Sequence, residues 1–560
     1  MRKHALILAL PATLWLALAC PAQAQWTNDP VNGMVSVCDA PNNQTGPLAL
    51  PLAGGRTLIA WQDERSAPDN YQIYYQILTP AGEPLMPANG VPLIEGDWKT
   101  TWGYTTRTNL FPDLAGGCIA IFNDYRSGYQ QIYGQRLDSL GNRLWGDSGL
   151  PLAIWPGAEG IGLKDAGMDS SGNIFIAWIR NTTPTNEMYM QKITLDGQRL
   201  WGDYGAMTCG GVSLADYQQA IPDGLGGALD LWMDTRHGSV LNEHLFVQHL
   251  NATGQPLLTI NGIPVLNMQG QSVSVWSIMQ GVADGRGGGF WLFSTPGVSV
   301  SGSHLFHMNG RGQTLWWYQF PNISAHSGVD LLLHPVLGTL WAVDADNHAG
   351  YAESYLYHFT LQGHPIFQAR PFGSVNSAAM TPTHDGVITL RAEDQTVGSS
   401  TIIACRVTAD GSLRWRSRVA LGHGPAFWYP TSASDGQNGA VVVWQDMRFS
   451  GIWVYDIYAQ RVNADGSLGG TGLAPAAGWP ETSPAILGLS SRSFRLGRSG
   501  QIQLELYDLL GRRIAVIEQG VKAAGEYPVV WPELSLPSGI YLLRLRCGGQ
   551  TATVKVSMLK

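Results

Sequence analysis

Trp61-Gln-Asp-Glu-Arg65, Ile73-Tyr-Tyr-Gln-Ile77 and Gly82 form a unit that the chain repeats. It returns as Asn123-Asp-Tyr-Arg126, Ile132-Tyr-Gly-Gln-Arg-Leu137, Gly141 and Trp145. It closes with Trp444-Gln-Asp-Met-Arg448, Ile457-Tyr-Ala-Gln-Arg-Val462 and Gly466. Each copy reads as a hydrophobic strand, a loop, an alternating strand and a Gly turn, often with Trp close behind. The turns fall at Gly82, Gly141, Gly197, Gly254, Gly312, Gly363, Gly411 and Gly466. The mean period is about 55 residues, which suits one four-stranded propeller blade and exceeds most helical repeats. Middle copies such as Phe293-Ser-Thr-Pro296 and Val343-Asp-Ala-Asp346 keep the strand and lose the Asp-x-Arg.

Tyr458–Val462 alternates apolar and polar residues, the pattern of a half-buried strand. Asp113-Leu-Ala-Gly-Gly117, Asp223-Gly-Leu-Gly-Gly227, Asp284-Gly-Arg-Gly-Gly288 and Asp435-Gly-Gln-Asn-Gly439 read as tight hairpin turns. No amphipathic helix is visible in this region. Four-stranded sheets expose edges and faces, and radial packing covers them. The expected fold class is therefore all-β: an eight-bladed β-propeller, or a seven-bladed one if a worn copy is irregular. Met34-Val-Ser-Val37 matches the strand at Gly149-Leu-Pro-Leu152 that ends the preceding repeat. The N-terminal segment Met34–Cys38 can thus complete the last blade, with Leu473–Ala477 near the same closure.

Trp61, Trp178, Trp232 and Trp444 share one repeat position; Trp145, Trp201, Trp316 and Trp415 share another. Packing between blades explains them better than a carbohydrate-stacking platform. Asp and Arg two apart at a strand end can staple a loop by a charge-assisted bond. Such a pair recurs along the chain, whereas an active site occurs once.

The chain has 560 residues, with 68 Gly, 21 Trp and only 14% charged residues, a turn-rich β composition. A net charge of -8 without basic clusters excludes a nucleic-acid surface. Arg2 and Lys3, the apolar run Ala5–Ala19 and Ala22-Gln-Ala24 read as a secretory signal over 1–24, cut between Ala24 and Gln25. Ala17-Leu-Ala-Cys20 raises a lipoprotein alternative with a poorer fit. No later segment is long and apolar enough to span a bilayer as a helix. Of the six cysteines, five would remain after cleavage, Cys38, Cys118, Cys209, Cys405 and Cys547; an odd number, widely scattered, is not a disulfide framework.

The propeller is expected over 25–477 and a linker rich in Ala, Pro, Gly and Ser over 478–496. A small sandwich over 497–560 follows, with strands near Gln501–Leu509, Arg513–Glu518, Gly525–Trp531, Gly539–Arg546 and Thr551–Met558. Leu506-Tyr-Asp-Leu-Leu-Gly-Arg512, Gly525, Trp531, Leu536-Pro-Ser-Gly-Ile-Tyr541 and Val554-Lys-Val556 resemble the type A C-terminal sorting domain of the type IX secretion system. The related Ig-like domain of flagellar hook-capping proteins shares the pattern. The resemblance covers roughly the last 70 residues. It implies an Ig-like sandwich carrying the motif residues Tyr507, Asp508, Gly511, Arg512, Gly525, Gly539 and Tyr541. Gly511 and Gly539 would be turn glycines. The implied partner is the type IX machinery, which carries cargo from the periplasm to the cell surface or the medium. The family's usual Asn-Pro start is absent, with Ser483-Pro484 nearby instead.

For chemistry, Thr194-Leu-Asp-Gly and Thr408-Ala-Asp-Gly place Gly directly after Asp, out of register with sialidase boxes. The adjacent cysteines usual in pyrroloquinoline quinone sites are missing. His304 and His307 would point to opposite faces of a strand, which is wrong for one metal. No Gly-x-Ser-x-Gly elbow or phosphate loop is present. No catalytic, cofactor or metal residue is assigned. The leading expectation is a non-enzymatic protein that binds a glycan or a protein. The alternative is a secreted polysaccharide hydrolase or lyase.

Overall fold

The computed structural model describes residues 26–469 and 487–558, apart from segments 31–33, 103–108, 157–159, 183–184, 213–214, 237–242, 271–272, 276, 296–301, 321–329, 349–350, 369–377, 397–398, 424–429, 448–453, 490–492, 497–499, 508–512, 523–524, 530–538 and 548–549. The chain divides into two compact units, Met1–Ala476 and Ala477–Lys560. The described residues hold antiparallel sheets and no α-helix. No helix among them is long and apolar enough to cross a membrane.

The first unit contains eight sheets in chain order among the described residues. The first is built from Gln44–Leu52, Arg56–Asp63, Gln72–Leu78 and Val91–Pro92, paired in that order. The next six occupy 100–153, 161–212, 215–275, 277–319, 330–368 and 378–423. The eighth takes Thr431–Ser434, Ala440–Asp446 and Asp456–Val462 from the end of the unit. Its fourth strand is Val35–Cys38, with Val35 opposite Ala459 and Ser36 opposite Tyr458. The N-terminal segment thus pairs where the repeat pattern placed it, while 473–477 lies outside the described residues.

The first strand of each sheet faces its neighbours. Ile161–Met168 packs on Ala215–Pro222, which packs on Ser277–Ala283, then Asp330–Leu333, Ala378–Pro382 and Thr431–Ser434. Thr431–Ser434 lies against Gln44–Leu52, which contacts Leu110–Pro112, and Ile161–Met168 reaches Cys118–Asp124. The circuit returns to its start, and the unit is propeller-like. Side chains clasp successive first strands from within. Asn123 Oδ1 accepts Leu163 N at 3.1 Å, Asp165 Oδ2 accepts Ala220 N at 3.0 Å and Gln280 Oε1 accepts Leu331 N at 3.0 Å. Asp330 Oδ2 accepts Met380 N at 2.8 Å, and Gln445 Oε1 accepts Gly46 N at 3.0 Å across the last junction.

Alternation predicts half-buried strands. The structure differs: every residue of Asp456–Val462, Ala440–Asp446, Ala228–Asp234 and Cys118–Asp124 is buried. Neighbouring sheets cover both faces of these central strands, so their polar residues are internal clasps rather than a wet face. Gln460 Nε2, for example, donates to the Thr27 carbonyl at 3.1 Å.

All eight repeat glycines have φ between 74° and 89°. A side chain there would also collide with the preceding sheet. A Cβ at Gly254 would meet the Trp201 ring at 2.7 Å, and one at Gly466 the Trp415 ring at 2.7 Å. The tryptophan then donates to the same turn: Trp201 Nε1 to Ala252 O, Trp316 Nε1 to Leu361 O and Trp415 Nε1 to Ala464 O, at 2.8–3.1 Å. Trp26 does this for the last junction. It is 1% exposed, lies 2.7 Å from the Cβ position of Gly82, and donates to Pro80 O at 3.0 Å. Trp26-Thr27 therefore stands where Trp201-Gly202 stands in the third sheet.

In the second unit, Leu487–Leu489, Ser493–Leu496 and Gly525–Pro528 form one sheet. Arg513–Lys522, Gly500–Tyr507, Gly539–Cys547 and Gln550–Met558 form the other, in that spatial order. Phe494, Ile502, Leu504, Leu506, Leu543 and Leu545 are at its core. Leu487–Leu489 and Ser493–Leu496 stand within 478–496, which composition reads as linker. Leu487–Leu489 pairs with Ser493–Leu496, which pairs with Gly525–Pro528, and Phe494 enters the core with residues of the other sheet.

Candidate functional site

The Asp-x-Arg pairs are built alike. Each Asp closes the second strand of its sheet. Asp63 Oδ1 accepts the Arg65 backbone N at 2.9 Å and Arg65 Nε at 2.9 Å. Arg65 Nη2 also donates to the Asn89 carbonyl at 2.7 Å and lies over the Tyr74 ring at 3.9 Å. Arg126 repeats this with Asp124, the Ser148 carbonyl and the Tyr133 ring. Arg236 does so with Asp234, the Asn261 carbonyl and the Phe246 ring. Trp61 and Trp232 donate their indole N–H to Asp63 and Asp234 at 2.8 and 2.9 Å. These motifs fasten the loop after the second strand and the neighbouring tryptophan, a structural use that recurs from sheet to sheet. Trp61, Trp178, Trp232 and Trp444 are at most 1% exposed, as the repeat position predicts. Arg448 lies outside the described residues.

The Asp-Gly turns are also self-contained. In Asp113, Asp223, Asp284 and Asp435, Oδ1 accepts backbone N–H groups two and four residues on, at 2.6–2.9 Å. Oδ2 meets Arg136, His249, His307 and Arg461 on the third strand at 2.8–3.1 Å. Ordinary hairpin and cross-strand bonding thus engages both oxygens of each of these turns. Several of these third-strand groups continue to the next sheet. Arg136 Nη1 reaches Leu195 O, His249 Nδ1 reaches Gly310 O, and Arg461 Nη1 closes the circuit at Pro80 O. His307 bonds Asp284, whereas His304 Nδ1 accepts Trp317 Nε1, so the two histidines serve different partners. Among the described residues no group of three or more His, Cys, Asp or Glu is placed to hold a metal. The five described cysteines are buried and form no disulfide, and burial pushes the Cys38, Cys118 and Cys209 thiols up to about 12, away from the reactive thiolate.

The third sheet departs from this motif in its own way. In the third sheet Arg180 occupies the position of Asp63, and Glu187 opposite it replaces Gln72. They form a 2.7 Å ion pair, and Tyr189 Oη donates to Glu187 at 3.0 Å. The Trp178 indole N–H consequently has no acceptor. Arg180 lies 4.4 Å over Trp155, which leaves the second sheet. Trp155 contacts Tyr189 at 5.0 Å and Tyr204 at 5.4 Å between ring centres. Tyr204 is 49% exposed and Met207, opposite Tyr189, 45%. Half-exposed rings beside an Arg–Glu pair offer stacking surface and hydrogen-bonding groups together, the chemistry of sugar or peptide recognition. Composition gives no hint of this group, because it depends on cross-strand register. The detectable signal is the Arg180 that stands where Asp63, Asp124, Asp234 and Asp446 stand in their copies.

Of the sorting-motif residues, Tyr507 Oη donates to Glu505 at 2.7 Å and its ring lies 4.5 Å from the Arg544 guanidinium. Tyr507, then Arg513, hold the Glu505 carboxyl below its usual range. Gly525 and Gly539 open strands, and Tyr541 is buried in the core. Asp508, Gly511, Arg512 and the cleavage pair Ala24 and Gln25 lie outside the described residues.

No family model matches the sequence, and no curated protein does. Among solved structures, the chain is similar to a mutant puromycin hydrolase at 14% identity and TM-score 0.41, covering 73% of this chain and 61% of that one. The chain thus spans about three fifths of that hydrolase. It is similar to the Hadza microbial sialidase Hz136 at 10% identity and TM-score 0.36, covering 76% and 68%. PorZ, a surface component of the type IX secretion system of Porphyromonas gingivalis, aligns at 12% identity and TM-score 0.26, covering 91% and 81%. At these scores the likeness carries no argument, and the propeller-like arrangement rests on the strand pairing and sheet packing of the chain itself.

Proposed function

We propose that this chain is a secreted or cell-surface, eight-bladed β-propeller that binds a glycan or protein partner without turning it over. A C-terminal Ig-like sandwich, read by the type IX machinery, would carry it outward after the signal is cut between Ala24 and Gln25. One observation carries the binding reading. The recurring charged motifs described above are used within the ring, while Trp155, Arg180, Glu187, Tyr189 and Tyr204 form a single-copy, partly exposed group. Its acid and base are paired to each other, not poised across an open cleft as a glycosidase carboxylate pair is.

The test is a glycan and peptide array probed with the mature chain, beside Trp155→Ala and Tyr204→Ala. Binding that both variants lose, with no release of reducing ends from the bound polysaccharides, supports the reading. Chain cleavage of a bound polysaccharide would establish the hydrolase or lyase alternative. Binding unchanged in both variants would move the site elsewhere.

A further inference from the structure

Asp230 occupies a core position. It sits on Ala228–Asp234 opposite Gln248 of Glu243–Leu250, as Ile59 sits opposite Gln76, Ala120 opposite Gln135, Ile176 opposite Gln191 and Val442 opposite Gln460. The other four are apolar, whereas Asp230 is a carboxyl with no exposed surface. Gln218 Nε2, from Ala215–Pro222, donates to Asp230 Oδ2 at 2.8 Å. The same Nε2 lies 3.3 Å from the Tyr189 carbonyl of the preceding sheet. The other oxygens of this pair, Asp230 Oδ1 and Gln218 Oε1, are both buried and have no partner. The Thr208 hydroxyl, itself buried and unbonded, lies beside Asp230 and can serve at most one of these two oxygens; the buried acceptor left over is costly, and a bare carboxylate in that setting more so.

One proton satisfies both oxygens. A carboxylic acid and a primary amide pair through two parallel hydrogen bonds: the amide N–H to the carboxyl C=O, and the carboxyl O–H to the amide oxygen. We infer that Asp230 is held as its neutral acid in such a pair with Gln218, and that loss of this proton to solvent weakens the junction between the third and fourth sheets.

The charged surroundings agree. The titratable groups beside Asp230 are Asp165, on Ile161–Met168, and the Cys209 thiol, on Ala206–Val212. Neither is a cation. Thr208, Gln218 and Gln248 are neutral. Burial, reinforced by the Asp165 carboxylate, pushes Asp230 up to about 7 against the opposing effect of Thr208 and Gln218. The sign follows. Unfolded, the carboxyl releases its proton near 3.8; folded, it keeps it to about 7. Between those values the folded chain holds the extra proton, so stability falls as pH rises, and above about 7 the loss is complete.

Asp230→Asn mimics the protonated acid at every pH, because its amide N–H can donate to Gln218 Oε1. Urea unfolding of the full-length chain, followed by Trp fluorescence from pH 4 to 8, compares the two. The expected result is equal stability at pH 4. At pH 8 the wild-type unfolding constant should exceed that of Asp230→Asn by roughly a thousandfold, the ratio set by about three pH units of displacement. Parallel pH profiles would overturn the inference. Should Asp230→Asn fail to fold, carbon-13 detection of the aspartate carboxyls in the wild type decides it. One carboxyl titrating near 7 supports the acid–amide pair, and none above about 5 refutes it.

Discussion

Trp26→Ala tests how the ring is closed. Trp26 is 1% exposed, so a Trp side chain, with ~150–250 Å² to bury, is removed from water almost entirely. At ~25 cal/mol per Å² that is about 4–6 kcal/mol, and the usual Trp→Ala range in cores is about 3–5 kcal/mol. The lost indole bond adds little, because Pro80 O keeps Arg461 Nη1 at 3.2 Å. We expect a loss of about 4 kcal/mol by urea denaturation. A double-mutant cycle with Gly82→Ala separates packing from backbone strain. In the parent, a Cβ at Gly82 would lie 2.7 Å from the Trp26 ring, on a backbone at φ 85°. Without the ring only the left-handed backbone penalty remains, about 1–2 kcal/mol. Gly82→Ala should therefore cost at least 1 kcal/mol less in the Trp26→Ala background. A Trp26→Ala loss below about 1 kcal/mol, or equal Gly82→Ala costs in both backgrounds, would refute this closure.

Other substitutions follow the same logic. Trp232→Ala, which removes a fully buried ring and its bond to Asp234, should cost roughly 3–5 kcal/mol by denaturation. Arg236→Ala leaves the buried Asp234 without its cation and should cost about 3–5 kcal/mol. Arg236→Lys should restore little, since an ammonium cannot bridge Asp234 and the Asn261 carbonyl as the fork does; near-complete recovery in melting or denaturation would contradict that. Removing Ala477–Lys560 should leave the melting transition of the first unit within a degree or two, because that unit holds its own cores.

Much of this was legible in the sequence because the repeat compares the chain with itself. A Gly needed at Gly82 for a turn is needed again at Gly254, and an Asp that staples Arg65 also staples Arg236. Single-copy features were not legible. Trp26 lies 56 residues before Gly82, the turn it packs on, and in sequence stands beside the stretch read as a secretory signal rather than in a repeat. Its one signal is Trp26-Thr27, in the place of Trp201-Gly202. Asp230 looks like one more acid of an Asp-rich stretch until strand pairing sets it opposite Gln248. Arg180 and Glu187 are seven residues apart and meet only through register. Ser493–Leu496 was hidden by the Ser, Arg and Gly around it.

The proposal of a self-contained ring exported by its C-terminal unit makes one demand above the others: export must depend on that unit while folding does not. Fractionation of a type IX-competent host expressing the full chain and a chain ending at Ala476 measures both. The full chain should reach the cell surface or the medium, while the shortened chain stays in the periplasm, folded and protease-resistant. A shortened chain found outside the outer membrane would contradict this division of labour and make the C-terminal unit an adhesive or structural sandwich.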